Sequence, residues 1–173
     1  MQRRSFAEME CNIARSVEEV GDGWSLMILR NALLGTTRFQ DFEAQLCAPP
    51  TTLARRLRLL TARGFFVRRE YAARPPREEY ELTAKGLDFL PVLLSLAAWG
   101  GRWLSPEGAP LEFVHPETGA PIRPALVDAC TGQELLAGQV GVRPGPGASP
   151  KLRRTMKHLT PVFGACASAR GAQ

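Results

Sequence analysis

The repeat period of the chain changes at Gly64, and this change limits its fold more than any other feature. Before Gly64, Leu53, Leu57 and Leu60 recur at helical spacing and form one buried stripe, with Thr51, Arg55 and Arg58 on the opposite side and Thr52 and Arg56 on its flanks. Proline at a first helical position and a capping threonine predict a helix start at Pro50 or Thr51, and Gly64 is a natural stop. After Gly64, Phe65–Tyr71 is rich in β-formers, and Glu79–Thr83 alternates polar and apolar residues. Between them lies a turn with two prolines, Pro75 and Pro76, flanked by Arg74 and Arg77. The expectation is a helix followed directly by a β-hairpin with a basic tip.

Upstream, three helices are expected. Ile13, Val17 and Val20 mark the first, which Gly21 ends. Trp24–Leu34 reads as a mostly buried second helix stopped by Gly35, and Phe39, Phe42, Leu46 and Cys47 give a short third. Ala48-Pro49-Pro50 breaks the third, because proline removes a donor and clashes with the preceding turn. Downstream, residues 84–104 read as one long helix that Pro91 kinks, with an apolar stripe at Leu87, Leu90, Leu94, Ala97 and Ala98 widened by Trp99 and Trp103. Such a surface calls for a cover, and a second subunit is one answer. Trp24, Met27, Phe89, Trp99 and Trp103 are candidates for that dimer core or for an effector pocket.

Charge is unevenly placed. Residues 51–77 hold eight arginines and a single acid, Glu70, while the other 146 residues carry a small net negative charge. A local excess of arginine suits a polyanion, and arginine grips phosphate and guanine in a planar, bidentate way. A helix pair with a tight turn, an arginine-faced second helix and a basic hairpin make a DNA-binding arrangement: the second helix enters the major groove and the hairpin follows the backbone or minor groove. Thr51, Thr52 and Arg55, near the helix start, are the base-reading candidates. Arg56 and Arg58 are expected on phosphates, Arg74 and Arg77 at the hairpin tip along the backbone or in the minor groove, and Arg69 on the strand among the DNA-binding residues. The alternative is a winged-helix module that binds protein; apolar or acidic residues at positions 55 and 58 would mark it.

Other function classes find little support. His115 and His158 are the only histidines, and no G-x-S-x-G, H-E-x-x-H or phosphate-cradling glycine loop occurs, so neither an enzyme nor a cofactor is expected. Cys11, Cys47, Cys130 and Cys166 form no C-x-x-C pair. No apolar run reaches the roughly 18 residues that span a bilayer, and the basic start lacks an apolar stretch, so a cytoplasmic, nucleoid-associated protein is expected. Three regions are expected: a folded domain over 1–104, a Pro/Gly-rich extension over 105–150 with a β-hairpin, and a basic tail over 151–173. No internal repeat is apparent.

Several short pieces recur in a fixed order: Cys11-x-x-Ala-Arg15, Val20-Gly-Asp-Gly-Trp-Ser-Leu-Met-Ile-Leu-Arg30, Leu34-Gly-x-x-Arg-Phe-x-x-Phe42, Thr52-Leu-x-x-Arg-Leu-x-x-Leu60 with Gly64, Tyr80-x-Leu-Thr-x-x-Gly86, and Leu90-x-x-Leu93 leading to Trp99-Gly100. Together they resemble the HxlR family of winged helix-turn-helix transcriptional regulators, relatives of the MarR group. The resemblance implies a mainly α fold with a small β-hairpin wing, double-stranded DNA as partner, and a homodimer joined by its terminal helices. It implies that Arg38, at the start of the helix before the turn, contacts phosphate. It also places Cys11 where some members carry a thiol that senses oxidants. Cys11 is followed here by Asn12 rather than the usual proline, and the competing reading is a small buried apolar residue. Members with a similar extension carry two cysteine knuckles; His115–Gly119 and Asp128–Gly132 lack most of those cysteines, so no metal is expected.

Overall fold

The computed structural model describes residues 5–73, 76–136 and 140–157. Those residues divide between Pro110 and Leu111 into two compact units. The first holds α1 (Asn12–Val20), α2 (Gly23–Leu33), α3 (Phe39–Leu46), α4 (Pro50–Ala62), β1 (Phe66–Ala73), β2 (Pro76–Leu82), α5 (Ala84–Leu87) and α6 (Leu90–Leu104). This is a winged helix-turn-helix, mainly α with one antiparallel hairpin.

The core sits where α2, α3 and α4 meet the base of the hairpin. Ile28, Leu29, Phe42, Leu53, Leu57, Leu60 and Phe66 are each at most 1% exposed. The predicted stripe of α4 is therefore its inner face. Phe66 meets Tyr80 edge to face at 6.2 Å between ring centroids, and Phe65 meets Phe89 likewise at 6.1 Å, so the hairpin and the last helices close the same core.

The hairpin is longer than its β-rich stretches predict. It pairs Phe66 with Leu82 at its base and continues to Ala73 and Pro76, with a register shift between Glu70 and Ala72 that leaves Tyr71 as the extra residue. The expected long helix over 84–104 is two helices. Asp88 and Phe89 separate α5 from α6, and Pro91 lies in the first turn of α6, where its missing N–H costs nothing, so it opens the second helix instead of kinking a continuous one. Thr83 caps α5 by accepting from the Gly86 N–H at 3.2 Å. A Cβ on Gly86 would lie 2.5 Å from the Phe65 carbonyl oxygen, so glycine is required by close approach.

A polar network fixes α3 against α2. The Gln45 side-chain oxygen accepts from Asn31 Nδ2 and from Thr36 Oγ1, both at 2.8 Å, and Asn31 and Thr36 are buried. These groups would be costly if left unpaired.

The second unit contains a structural repeat that the sequence does not make apparent. The His115 N–H donates to Ala120 and Gly119 to His115, at 2.9 and 2.8 Å; Asp128 donates to Gln133 and Gly132 to Asp128, at 2.9 and 2.7 Å. Ile122 to Phe113 and Leu135 to Leu126, both 2.7 Å, complete each turn. Gly119 and Gly132 take left-handed φ values of 68° and 69°. Thr118 and Thr131 each accept from the backbone N–H two residues on, holding the turns with hydroxyls. The repeat is hard to see in the sequence because the equivalent positions share few residue types beyond Thr-Gly. α7 (Pro150–Met156) follows, capped by Ser149.

Candidate nucleic-acid interface

Helix α4 presents the arginine face. It begins at Pro50 with Pro49 as its N-cap, and no side chain caps it, so the expected threonine cap is absent. Its first turn holds no acid, which leaves free N–H groups and the positive end of the helix dipole at that end. Thr51, Arg55 and Arg58 are exposed, and Thr52 is half-buried at the flank.

Arg56 does not share this face. It turns inward and pairs with the Asp22 carboxylate, with the two side chains only 16% and 20% exposed. Its Nε is buried without an acceptor among the described residues. The expectation of a phosphate contact at Arg56 is thus corrected: residue 56 lies a quarter-turn from Leu57, at the edge of the buried stripe, where its guanidinium reaches the α1–α2 junction instead of solvent.

Arg63 and Lys85 secure the same junction. Arg63 Nη1 donates to the Glu18 carbonyl at 2.6 Å, and Lys85 Nζ donates to Glu19 Oε1 at 2.6 Å and to the Arg63 carbonyl at 2.7 Å. Helix α4 is tied to the N-cap of α2 at its middle and to the last turn of α1 at its C-terminus.

The wing joins the start of α3. The Tyr80 N–H donates to the Thr37 carbonyl at 2.8 Å, Thr37 Oγ1 donates to Glu79 Oε2 at 3.3 Å, and Arg38 forms a β-bridge with Glu79. Burial pushes the Tyr80 phenol above its ordinary pKa. Arg38 is the N-cap residue of α3, is exposed, and lies 4.5 Å over the ring of Tyr71. On the wing, Arg69 pairs with Glu81 at 2.6 Å and Arg68 with Glu78 at 3.0 Å, while Arg77 is exposed. These pairs sit in solvent and hold the arginines weakly. Arg74 lies outside the described residues.

Apart from Arg56, the sequence-chosen residues from 38 to 77 within the described part lie on α3, α4 and the wing, on exposed or half-buried positions. Sequence reasoning did not single out Asp22, Glu79 or Tyr71. The Asp22–Ser25 spacing of an N-cap was available as a signal for the first; pairing across the wing was not.

A groove of about 1090 Å³ lies between α1, α5 and α6, lined by Ile13, Val17, Phe89, Val92 and Leu96 among others. Of the residues expected at an effector pocket, Phe89 alone lines it. Trp24, Met27, Trp99 and Trp103 are outside the lining and exposed. Cys11, the N-cap residue of α1, is exposed and not the small buried residue that the competing reading had. Among the described residues no group of His, Cys, Asp or Glu could hold a metal ion, and no helix is long and apolar enough to cross a membrane.

Residues 19–108 match the HxlR-like helix-turn-helix family model. The chain belongs to the HxlR family. An HTH-type transcriptional regulator of Mycobacterium tuberculosis is 39% identical to this HxlR-family chain over 142 residues, covering 82% of it and 90% of the relative. A second, from Synechocystis, is 37% identical over 98 residues, or 56% of this chain and 73% of the relative. Among solved structures, the candidate transcription factor PA1607 superposes with a TM-score of 0.74 at 33% identity, over 81% of this chain and 99% of that one. The reduced form of the redox regulator HypR gives 0.51 at 27% identity, over 55% and 95%. The HxlR-family chain is a transcriptional regulator with a DNA-binding helix-turn-helix, and not an enzyme.

Proposed function

We propose that this regulator is a homodimeric repressor that reads one specific duplex sequence with the outer face of α4. The observation that carries the reading is the division of α4: Leu53, Leu57 and Leu60 face inward while Thr51, Arg55 and Arg58 are exposed beyond an acid-free first turn. Thr51, Thr52 and Arg55 reach base edges, and Arg58, Arg38, Arg69 and Arg77 hold the backbone on either side. A small dimer bound across a promoter acts most directly by occluding it.

The apolar faces of α1 and α6 support dimerisation. Ile13 is 76% exposed and Trp103 68%, with Val17, Leu96 and Trp99 also open to solvent in the single chain. A second copy laid along these helices covers them and sets two α4 helices one helical turn of DNA apart. An oxidant effector acting at the exposed Cys11 fits the likeness to HypR, which its name describes as a redox regulator.

The test is affinity for the promoter region of the chain's own gene against a random duplex across a salt series. A preference of roughly 10³-fold with a steep fall of log K against log salt supports the reading. Equal, weak binding to both would remove the specificity claim. Binding to neither at low salt would assign the arginine face to a protein partner.

A further inference from the structure

We propose that Tyr71 is a positioning residue for DNA binding: it holds Arg38 ready to grip a backbone phosphate. The proposal rests on the DNA-reading face described above and adds a residue outside it.

Three observations converge. The first is the register shift of the hairpin. Glu70 pairs with Glu78 and Ala72 with Arg77, so Tyr71 has no partner of its own. A bulge re-aims the side chain of its extra residue, and here the ring lies beneath the Arg38 guanidinium, 4.5 Å from its centre. The second is the backbone at residue 38. A β-bridge to Glu79 and the hydrogen bond from Tyr80 N–H to the Thr37 carbonyl fix the segment that carries Arg38 against the same hairpin. Both ends of the stacked pair are therefore anchored to one element. The third is that Arg38 has no ion pair among the described residues, whereas Arg68 and Arg69 on the wing are each opposed by a glutamate. A ring attracts the cation without using any of its N–H donors, so the fork remains available for an anion.

Stacking removes rotamer freedom that a long side chain would otherwise lose on binding. The cost of ordering Arg38 is met before DNA arrives. Phenylalanine at 71 retains this effect and alanine loses it; a tyrosine that touched DNA through its hydroxyl would show the opposite dependence at phenylalanine.

The experiment is a double-mutant cycle on the full chain, with dissociation constants for the selected duplex measured over a salt series for wild type, Tyr71→Ala, Tyr71→Phe, Arg38→Ala and Arg38→Ala/Tyr71→Ala. Tyr71→Ala is expected to weaken binding about 3-fold, the range of an exposed cation–π contact. Tyr71→Phe should match wild type, and Arg38→Ala should flatten the salt slope by about one unit. In the Arg38→Ala background the Tyr71→Ala effect should vanish. A Tyr71→Ala loss of equal size in both backgrounds, or a loss shared by Tyr71→Phe, overturns the proposal while leaving the DNA-reading face intact. If the wild type binds no duplex, the DNA reading falls and the proposal falls with it.

Discussion

Arg56 on the recognition helix closes its guanidinium on the Asp22 carboxylate, and that carboxylate also caps α2 by accepting from the Ser25 N–H at 3.1 Å. One acid thus starts a helix and holds the helix that carries the proposed DNA-reading face. Asp22→Ala removes the cap and strands a largely buried cation, and should lower unfolding free energy by roughly 3 kcal/mol. Asp22→Asn keeps an oxygen for Ser25 and should lose less. Urea unfolding of both variants checks the order. Arg56→Ala should likewise act on stability; if it left the urea midpoint in place and flattened the salt slope of DNA binding by about one unit, the inward role would be wrong.

The exposed arginines of α4 should separate by position. Arg55→Ala is expected to weaken the selected sequence by about 1–3 kcal/mol and to relax preference at one base pair. Arg58→Ala should weaken all duplexes alike. Competition against a panel of single-base operator variants distinguishes the two, and equal losses on every sequence for Arg55→Ala would move it to the phosphate group.

Gly86→Ala places a methyl 2.5 Å from the Phe65 carbonyl oxygen and 2.7 Å from Leu82 Cδ2. The backbone neighbour cannot swing aside, so a loss of about 3 kcal/mol is expected, at the upper end for overpacking. A fall in the thermal midpoint of several degrees would register it.

Trp99→Glu puts a charge on the outer face of α6, where Trp99 is open to solvent in one chain. If the second copy lies there, sedimentation should change from twice the 19.0 kDa chain mass to the chain mass, with weaker operator binding. A variant that stays dimeric would place the interface elsewhere.

Cys47 is the one described non-glycine residue at positive φ, 48°. Cys47→Gly relieves that conformation and should raise stability by up to about 1 kcal/mol, read from the same urea unfolding.

The elements with strong periodicity were legible in the sequence. The stripe Leu53, Leu57, Leu60 fixes the inner face of α4, and the breakers Gly21, Gly35 and Ala48-Pro49-Pro50 fix the order of helices, because local sterics decide both. The break at Asp88–Phe89 was not legible. Pro91 signals an interruption without fixing its place; the Thr83 cap and the packing of Phe89 on Phe65 decide it, and the second partner is 24 residues away in the chain. The same limit governs the site. A helical wheel puts Arg56 on a flank and stops there; only the approach of Asp22 from another helix turns it inward. Tyr71 read as an ordinary strand residue, since a bulge depends on the register of two strands and not on one.

The turn between α3 and α4 has little room to move. Cys47 is left-handed, Ala48 is 5% exposed, and Pro49 at φ −55° is followed by a second proline that confines it to extended geometry. Helices α3 and α4 therefore travel together as one reading head. A signal arriving at α1 or α6 has no hinge to bend inside that head. In the proposed dimer it can only change how far apart two heads stand, and an operator whose half-sites are spaced for one separation becomes a mismatch for the other.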